Sequence, residues 1–251
     1  MKAAGQCDIG SQREKNEDAI FLSTAPVGSL PNVFIVADGM GGHKGGEYAS
    51  QFAIQYFCEY IQQSNQATTE QDILATLVQG ILYANDKLYT ISLSQKELQG
   101  MGTTFIVSTI LNETLYIANV GDSRLYILEE EIQKITVDHS LVEEMVRKGN
   151  LSEYEAENYP NKNVITRAVG TEKTVQVDTY IIPLLTEHTI LMCSDGLTNM
   201  LSDSQIKGIL QSNNTLENKV NQLVDTANEK GGLDNISVIL IDWKVKEVST
   251  L

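Results

Sequence analysis

Six short runs of β-branched and aliphatic residues are the feature that most constrains the fold of this chain. They occupy residues 33–36, 104–107, 115–118, 124–127, 189–192 and 236–240. Short polar turns at Asn112-Glu113 and Gly121-Asp122 separate three successive runs, which favours antiparallel pairing between them. Because the strands cluster instead of alternating with helices, the pattern predicts an α+β fold with antiparallel sheet and argues against a doubly wound parallel sheet.

Helical periodicity appears in separate segments of the same chain. Apolar residues recur at helical spacing over 49–60, 73–88 and 216–227, and the last of these ends before Gly231-Gly232, which is typical of a helix stop. The polar stretch 138–163 predicts a surface flap that carries a short helix near 141–148. Without repeats or low-complexity linkers, the 251 residues are expected to form a single domain, 1–251.

Charge and cysteine content restrict the partners and the compartment. The formal net charge of -15 excludes a non-specific nucleic-acid binder, since such binding depends on basic side chains that neutralise phosphates. The first ten residues lack a signal-peptide core, and no stretch approaches the length of a membrane span. Three scattered cysteines suit a reducing compartment. We therefore expect a cytoplasmic, monomeric protein that does not insert into membranes.

Aspartates stand beside four of the apolar runs. They occur in the pairs Asp38-Gly39, Gly121-Asp122, Asp195-Gly196 and Asp234-Asn235. Each pair alone is an ordinary turn signal. If the four carboxylates share one sheet edge, their mutual repulsion requires protonation or a bound cation. An all-oxygen ligand set selects a hard ion such as Mg²⁺, Mn²⁺ or Ca²⁺, and the scattered histidines disfavour Zn²⁺.

The N-terminal segment contains an arginine shortly before two further acids. Arg13 precedes Glu17 and Asp18 by four and five residues. This cluster suits a solvated turn, or a site in which Arg13 binds a phosphoryl group in bidentate fashion while the acids support a metal.

Seven motifs, in order and spanning almost the whole chain, together resemble the type 2C metal-dependent (PPM) serine/threonine phosphatases. The Gly-Met-Gly-Gly-His version at 39–43 is similar to the compact bacterial branch. The motifs are Arg13 with Asn16-Glu17-Asp18, then 36–43, 102–104, 119–124, 166–170, 193–197 and Asp234-Asn235.

The resemblance implies a fold and a set of metal ligands. The fold would be a β-sandwich of two antiparallel sheets flanked by helices on both faces, with a flap at about 138–168. Two core ions, Mn²⁺ or Mg²⁺, and possibly a third would be bound. The implied ligands of the first ion are Asp38, Asp195 and Asp234. Those of the second are Asp38 and the Gly39 carbonyl, with Glu17 reaching the ion directly or through water. Asp122 and Asp195 would bind the third, with Asp18 as a supporting residue or weak ligand.

The resemblance also implies an activity. A hydroxide shared by the two ions would attack phosphoserine or phosphothreonine directly, with Arg13 on the phosphate and His43 near the leaving group. The substrates would be proteins that a Ser/Thr kinase has phosphorylated, together with the kinase itself. His139 and His188 are expected to be surface or strand-end residues, Asp138 a flap turn, and Arg124 and Arg167 partners in ion pairs.

Two alternatives remain open from the residues. Cys7 and Arg13 have the Cys-x5-Arg spacing of thiol phosphatases, although residues 1–6 make a poor buried strand and the neighbouring acids would repel a phosphate dianion. The second alternative is a cation-binding domain that recognises phosphoproteins without hydrolysing them.

Overall fold

The computed structural model of the protein describes residues 1–42, 45–152, 155–156, 159 and 163–244. The strands are β1 (Lys2–Asp8), β2 (Asp18–Ser23), β3 (Val33–Met40), β4 (Gly102–Thr103), β5 (Phe105–Leu111), β6 (Thr114–Val120), β7 (Arg124–Leu128), β8 (Ile132–Lys134), β9 (Asp178–Pro183), β10 (His188–Cys193) and β11 (Ile236–Trp243). The helices are α1 (Gly45–Gln63), α2 (Glu70–Ser94), α3 (Leu141–Arg147), α4 (Asp195–Thr198), α5 (Asp203–Leu210) and α6 (Leu216–Glu229), with a 3-10 turn at Lys96–Leu98.

The strands form two antiparallel sheets. In the first sheet the order is β1-β11-β10-β7-β8, and in the second it is β2-β3-β5-β6-β9, with β4 paired to β3. Every pairing between these strands is antiparallel. This arrangement places β3 and β10–β11, which carry most of the predicted aspartates, in opposite sheets.

Alternation along the central strands explains why the sheets stack. In β3, Phe34 and Val36 pack into the layer between the sheets, whereas Ile35 and Ala37 pack towards α1 and α2. In β11, Ile239 and Ile241 enter the layer between the sheets, and Leu240 packs towards α5 and α6. A strand that is apolar on both sides is buried on both faces. The result is the expected α+β sandwich with helices on both outer faces.

The predicted helices are confirmed, and their ends have local causes. Segments 49–60, 73–88 and 216–227 lie within α1, α2 and α6, and α3 matches the short flap helix. Thr69 forms a capping box with Asp72 at the start of α2, which satisfies amide groups that the first turn leaves unpaired. Gly231 and Gly232 follow α6 with positive φ angles, as a glycine stop requires.

One predicted strand pairing is wrong. Asn112 and Glu113, both with positive φ, close the β5–β6 hairpin as expected. The turn at Gly121-Asp122, however, carries the chain from β6 in the second sheet to β7 in the first. Both strands still face the layer between the sheets, through Ile117 and Leu125 for example. A short polar turn is compatible with either outcome, because both bury the same apolar faces.

Residues 1–6 were expected to make a poor buried strand, and this is confirmed. Residues 2–8 form β1, an edge strand paired with β11, in which no residue is fully buried. Most of its residues are only partly buried, so it needs no continuous apolar run. Among the helices of the described residues, none combines the length and the apolar character needed to cross a bilayer.

Candidate active site

Asp18 and Asp38 lie opposite each other where β2 and β3 pair. Asp18 is 6% exposed, and its Oδ2 accepts a hydrogen bond of 2.7 Å from the Ser194 hydroxyl. The backbone of Asp38 is held from both sides: its N–H donates to Thr104 Oγ1 at 2.9 Å, and its carbonyl accepts from the Thr104 N–H at 2.8 Å. These bonds within the protein hold the end of β3 in place.

Asp195 and Asp234 approach Asp18 and Asp38 from the first sheet. We call these four residues, together with Asp122, the acidic rim. Asp195 follows β10 at the start of α4, and Asp234 lies two residues before the adjacent strand β11. The two turns touch, since a Cβ on Gly196 would lie 2.0 Å from the Asn235 carbonyl oxygen. Only glycine permits that approach. Asp195 Oδ2 accepts from Asn199 at 2.9 Å, while its buried Oδ1 has no hydrogen-bond partner.

Asp122 is the fifth aspartate of this rim. Its side chain is 8% exposed, and its Oδ1 is also buried without a hydrogen-bond partner. The preceding Gly121 has a φ of +107°, and a Cβ there would lie 2.6 Å from the side chain of Thr104. The turn that presents Asp122 therefore depends on glycine and lies against the residue that holds Asp38.

Burial and the closeness of these side chains raise the carboxyl pKa values of Asp18, Asp38, Asp122 and Asp195. Burial, followed by the charges of Asp18, Asp195, Asp122 and Asp234, raises the pKa of Asp38 well above its usual range. Burial and neighbouring aspartates raise the pKa of Asp18 to about 7, and the same causes raise that of Asp122 to about 7. The pKa of Asp195 is raised by burial and by Asp234, against hydrogen bonds that lower it. The carboxyls are thus brought together with too little compensating positive charge.

Glu17 and Gly39 form a second part of the rim, beside the start of α1. The Gly39 N–H donates to the Glu17 carbonyl at 3.1 Å. A Cβ on Gly46 would lie 2.7 Å from Glu17 Cδ and 2.8 Å from the Gly39 carbonyl oxygen, so both oxygen-bearing groups converge on the same helix terminus. Burial raises the pKa of Glu17, although Arg13 and Lys15 act to lower it.

Arg13 lies at the outer edge of these acids. Its Nη2 donates to Asp234 Oδ2 at 2.8 Å and its Nε donates to the Leu233 carbonyl at 3.3 Å. About half of its side chain is exposed. The guanidinium is therefore close to the acidic rim and reachable from solvent. His43, the remaining predicted site residue, lies outside the described residues.

The acidic rim fits hard cations, although its donors are not arranged around one point. Among the described side chains, no group of three or more His, Cys, Asp or Glu is placed to hold a metal ion. Some of these carboxylates have protein partners instead: Arg13 donates to Asp234, and Asn199 donates to Asp195. The unpartnered Oδ1 atoms of Asp122 and Asp195 and the all-oxygen donor set nevertheless suit Mg²⁺ or Mn²⁺.

Cys7 does not have the environment of a thiolate nucleophile. It lies in β1, where Asn16 Nδ2 and Ser237 Oγ donate to its sulfur at 3.1 and 3.2 Å. Burial raises the pKa of the thiol, with the charge of Asp18 adding to the rise. Reactive cysteines need the opposite shift. The Cys-x5-Arg reading is therefore not favoured.

Several supporting residues went unrecognised in the sequence. Asn235 accepts from the Glu17 N–H at 2.8 Å and donates to the carbonyls of Ile9 and Lys15, which ties the N-terminal segment to β11. Ser194 holds Asp18. Both lie inside motifs named from the sequence, 193–197 and Asp234-Asn235, but neither was given a role there.

His139 and His188 were expected at the surface or at strand ends. His188 begins β10, as expected. His139 is in neither place: it is 4% exposed and lies between β8 and α3. The expected ion pairs are confirmed: Arg124 bonds Asp138 and Arg167 bonds Asp178, each at 2.8 Å.

A groove of about 900 Å³ adjoins the rim. Asp122 and Asp195 line it, together with residues of α3 and α5 such as Val142 and Ser204. The flap helix therefore borders the approach to the acidic rim.

Comparison with known proteins agrees with this geometry. Residues 10–240 match the family model described as protein phosphatase 2C. The chain is 39% identical over 245 residues to a serine/threonine phosphatase stp of Listeria monocytogenes, with 96% of each chain covered, and 36% identical over 241 residues to protein phosphatase PhpP of Streptococcus pneumoniae, with the same coverage. The solved structure of Stp1 from Staphylococcus aureus superposes with a TM-score of 0.90 at 34% identity, covering 97% of this chain and 95% of that one. This chain therefore belongs to the protein phosphatase 2C family of metal-dependent serine/threonine phosphatases.

Proposed function

We propose that this protein hydrolyses phosphoserine and phosphothreonine on other proteins with the help of Mn²⁺ or Mg²⁺ bound at the acidic rim. Asp38, Asp195 and Asp234 would hold one ion, and Asp38, the Gly39 carbonyl and Glu17 a second. Asp122 and Asp195 would hold a third, with Asp18 in support. The observation that carries this proposal is the convergence of Asp18, Asp38, Asp122, Asp195 and Asp234 at one rim. Their burial and mutual closeness raise the pKa values of the first four.

The chemistry divides between the ions and the protein. When bound, such cations activate a coordinated water for attack on phosphorus and neutralise charge on the phosphoryl oxygens. Arg13 would bind the phosphoryl group in bidentate fashion. Arg13 is paired with Asp234, but the pair is half exposed and therefore weak, so a phosphoryl group can compete for the guanidinium. His43 is proposed to protonate the departing alkoxide.

We further propose the cellular setting. The substrates would be proteins phosphorylated by a Ser/Thr kinase, together with that kinase. The protein would act in the cytoplasm as a monomer. The groove beside Asp122 and Asp195 offers room for the polypeptide that carries the phosphorylated residue.

A chelation assay tests the proposal against the thiol alternative. On a phosphothreonine peptide, we expect turnover with Mn²⁺, loss of turnover in EDTA, and recovery when Mn²⁺ is restored. Cys7→Ser should retain the activity, because the thiol is held in a strand with a raised pKa. Turnover that survives EDTA but disappears in Cys7→Ser would favour the thiol mechanism. Metal binding without turnover would favour the non-catalytic phosphoprotein-binding domain.

Arg13 offers a separate test of phosphate recognition. Arg13→Ala should lower kcat/KM for the phosphopeptide by about 10- to 100-fold, the effect of losing charge-assisted hydrogen bonds of about 1.5 to 3 kcal/mol. Arg13→Lys keeps the charge without the planar pair of donors, so only part of the activity should return. Inorganic phosphate should inhibit both variants less than wild type. Equal kcat/KM values in all three proteins would remove Arg13 from the phosphate-binding role.

A further inference from the structure

His139 connects the turn that presents Asp122 to the base of the flap. Its ring lies in the interior, 4% exposed. One ring nitrogen, Nδ1, is 3.0 Å from the Gly121 backbone nitrogen, and the other, Nε2, is 3.1 Å from Asp178 Oδ2. The imidazole therefore bridges two elements that are 57 residues apart in sequence, Gly121 and Asp178.

The hydrogen bonds determine the tautomer of His139. The Gly121 N–H can only donate, so Nδ1 must be the unprotonated acceptor and the ring proton must lie on Nε2. That proton then points to Asp178, whose other carboxyl oxygen accepts from Arg167 Nη1 at 2.8 Å. Burial lowers the pKa of His139, which agrees with a neutral ring. Outer partners of this kind orient an imidazole at metal sites.

The backbone of His139 reinforces the same connection. Its N–H donates to the Gly121 carbonyl at 3.0 Å, and its carbonyl accepts from the Thr166 N–H at 2.8 Å. Gly121 is thus held on both its N–H and its carbonyl by one residue. Gly121 is buried, so its N–H needs a hydrogen-bond partner. Its φ of +107° is a conformation that only glycine adopts readily.

Asp122 takes its position directly from this turn. Its Oδ1 is buried and unpartnered, so no hydrogen bond from a neighbour holds that oxygen. The orientation of the carboxyl therefore depends on the backbone that precedes it. We propose that His139 is a positioning residue for Asp122: by accepting the Gly121 N–H with Nδ1 and donating to Asp178 with Nε2, it sets the placement of the Asp122 carboxyl for its divalent cation.

This inference rests on the proposed function, in which Asp122 with Asp195 binds the third ion. That ion has two protein ligands where each core ion has three, so it is expected to bind most weakly. Two substitutions test the bond of His139 to Gly121 and its bond to Asp178 separately. The amide oxygen of asparagine occupies the place of Nδ1, so His139→Asn keeps an acceptor for Gly121 and loses the bond to Asp178. The longer glutamine places its amide near Nε2, so His139→Gln keeps a donor for Asp178 and loses the acceptor for Gly121.

The experiment counts Mn²⁺ ions bound by the full-length protein, using the electron paramagnetic resonance signal of free Mn²⁺. Asp122→Asn should lose the weakest class of ion. His139→Gln should weaken that class by on the order of tenfold, the loss typical when an outer partner of a metal ligand is removed. His139→Asn should bind close to wild type. Binding by His139→Gln that equals wild type, or equal weakening in both histidine variants, would overturn the inference.

A second measurement uses the wild-type protein, so it does not depend on the variants folding. In protein with ¹⁵N-labelled histidine, the His139 Nδ1 resonance should move during the weakest phase of a Mg²⁺ titration, and no movement would count against the bridge. If wild type bound no Mn²⁺ and turned over no phosphopeptide, the proposed function would fail and this inference with it. If wild type bound Mn²⁺ and hydrolysed the phosphopeptide, and the His139 variants bound Mn²⁺ as tightly as wild type, only this inference would fail.

Discussion

Asp38→Asn is expected to lower kcat/KM on a phosphothreonine peptide by at least about a thousandfold and, in the absence of metal, to stabilise the fold. The activity falls because Asp38 is the one side chain proposed to bind both core ions, which contribute several kcal/mol of transition-state stabilisation. The stability rises because the substitution removes a buried carboxyl whose pKa is raised by burial and by four neighbouring aspartates.

A loss of activity combined with a gain in stability distinguishes an aspartate that acts in catalysis from one that supports the fold. Steady-state kinetics with Mn²⁺ would measure the loss, and thermal unfolding in EDTA at pH 8 would measure the gain. Asp86→Asn, at an exposed position of α2, is the matched control and should change neither quantity appreciably. A variant that remained active, or that unfolded at a lower temperature than wild type in EDTA, would contradict the assignment of Asp38.

Much of the acidic rim was predictable from the chain because strand ends are a strong local signal. Asp195 and Asp234 flank apolar runs that became β10 and β11, adjacent in one sheet. Asp38 was predicted to follow a strand and instead lies near the end of β3. That these sites meet depends on how the two sheets stack, which no single run reveals. The order of the seven motifs supplied that information by resemblance.

The rest could not be read from the chain for physical reasons. β1 is an edge strand, so it lacks the continuous apolar pattern of a buried one. Along β9 the residues alternate between partly buried and exposed, a weak signal over six residues. The crossing at Gly121 has the same local composition as a hairpin. His139 is buried and accepts a hydrogen bond from the Gly121 N–H, 18 residues away. No nearby sequence pattern signals such a contact.

In EDTA, the free energy of unfolding should be larger at pH 5 than at pH 8. Asp18 and Asp122 have folded-state pKa values of about 7, above the ordinary value of 3.8. A raised folded-state pKa gives stability that is complete below the unfolded-state pKa and is lost as pH rises through the folded-state value. From pH 5 to pH 8 the loss is about 2 to 3 kcal/mol for one such group.

One group acts in the opposite direction: burial lowers the pKa of His139, so its contribution is lost as pH falls through the folded-state value. It is a single group against the raised pKa values of Asp18, Asp38, Asp122 and Asp195, so the net sign is kept. The pKa of Asp178 is lowered, chiefly by His139 and Arg167 against the effect of burial, so its contribution is lost only below about pH 4. Urea unfolding at pH 5 and pH 8 in EDTA would measure the difference. Asp18→Asn should reduce it, since one of the two groups no longer titrates. A free energy of unfolding that rose between pH 5 and pH 8 would show that the aspartates do not crowd as the structure indicates.

Ion binding should have the opposite pH dependence. A cation at the rim requires ionised carboxylates, so protons and Mn²⁺ compete for the same oxygens. Because an ion bound only by the folded state adds stability according to its affinity, the gain from Mn²⁺ should be small at pH 5 and largest at pH 8. Unfolding curves with Mn²⁺ and with EDTA should therefore converge at low pH. A gain from Mn²⁺ that did not vary with pH would place the stabilising ion away from Asp18 and Asp122.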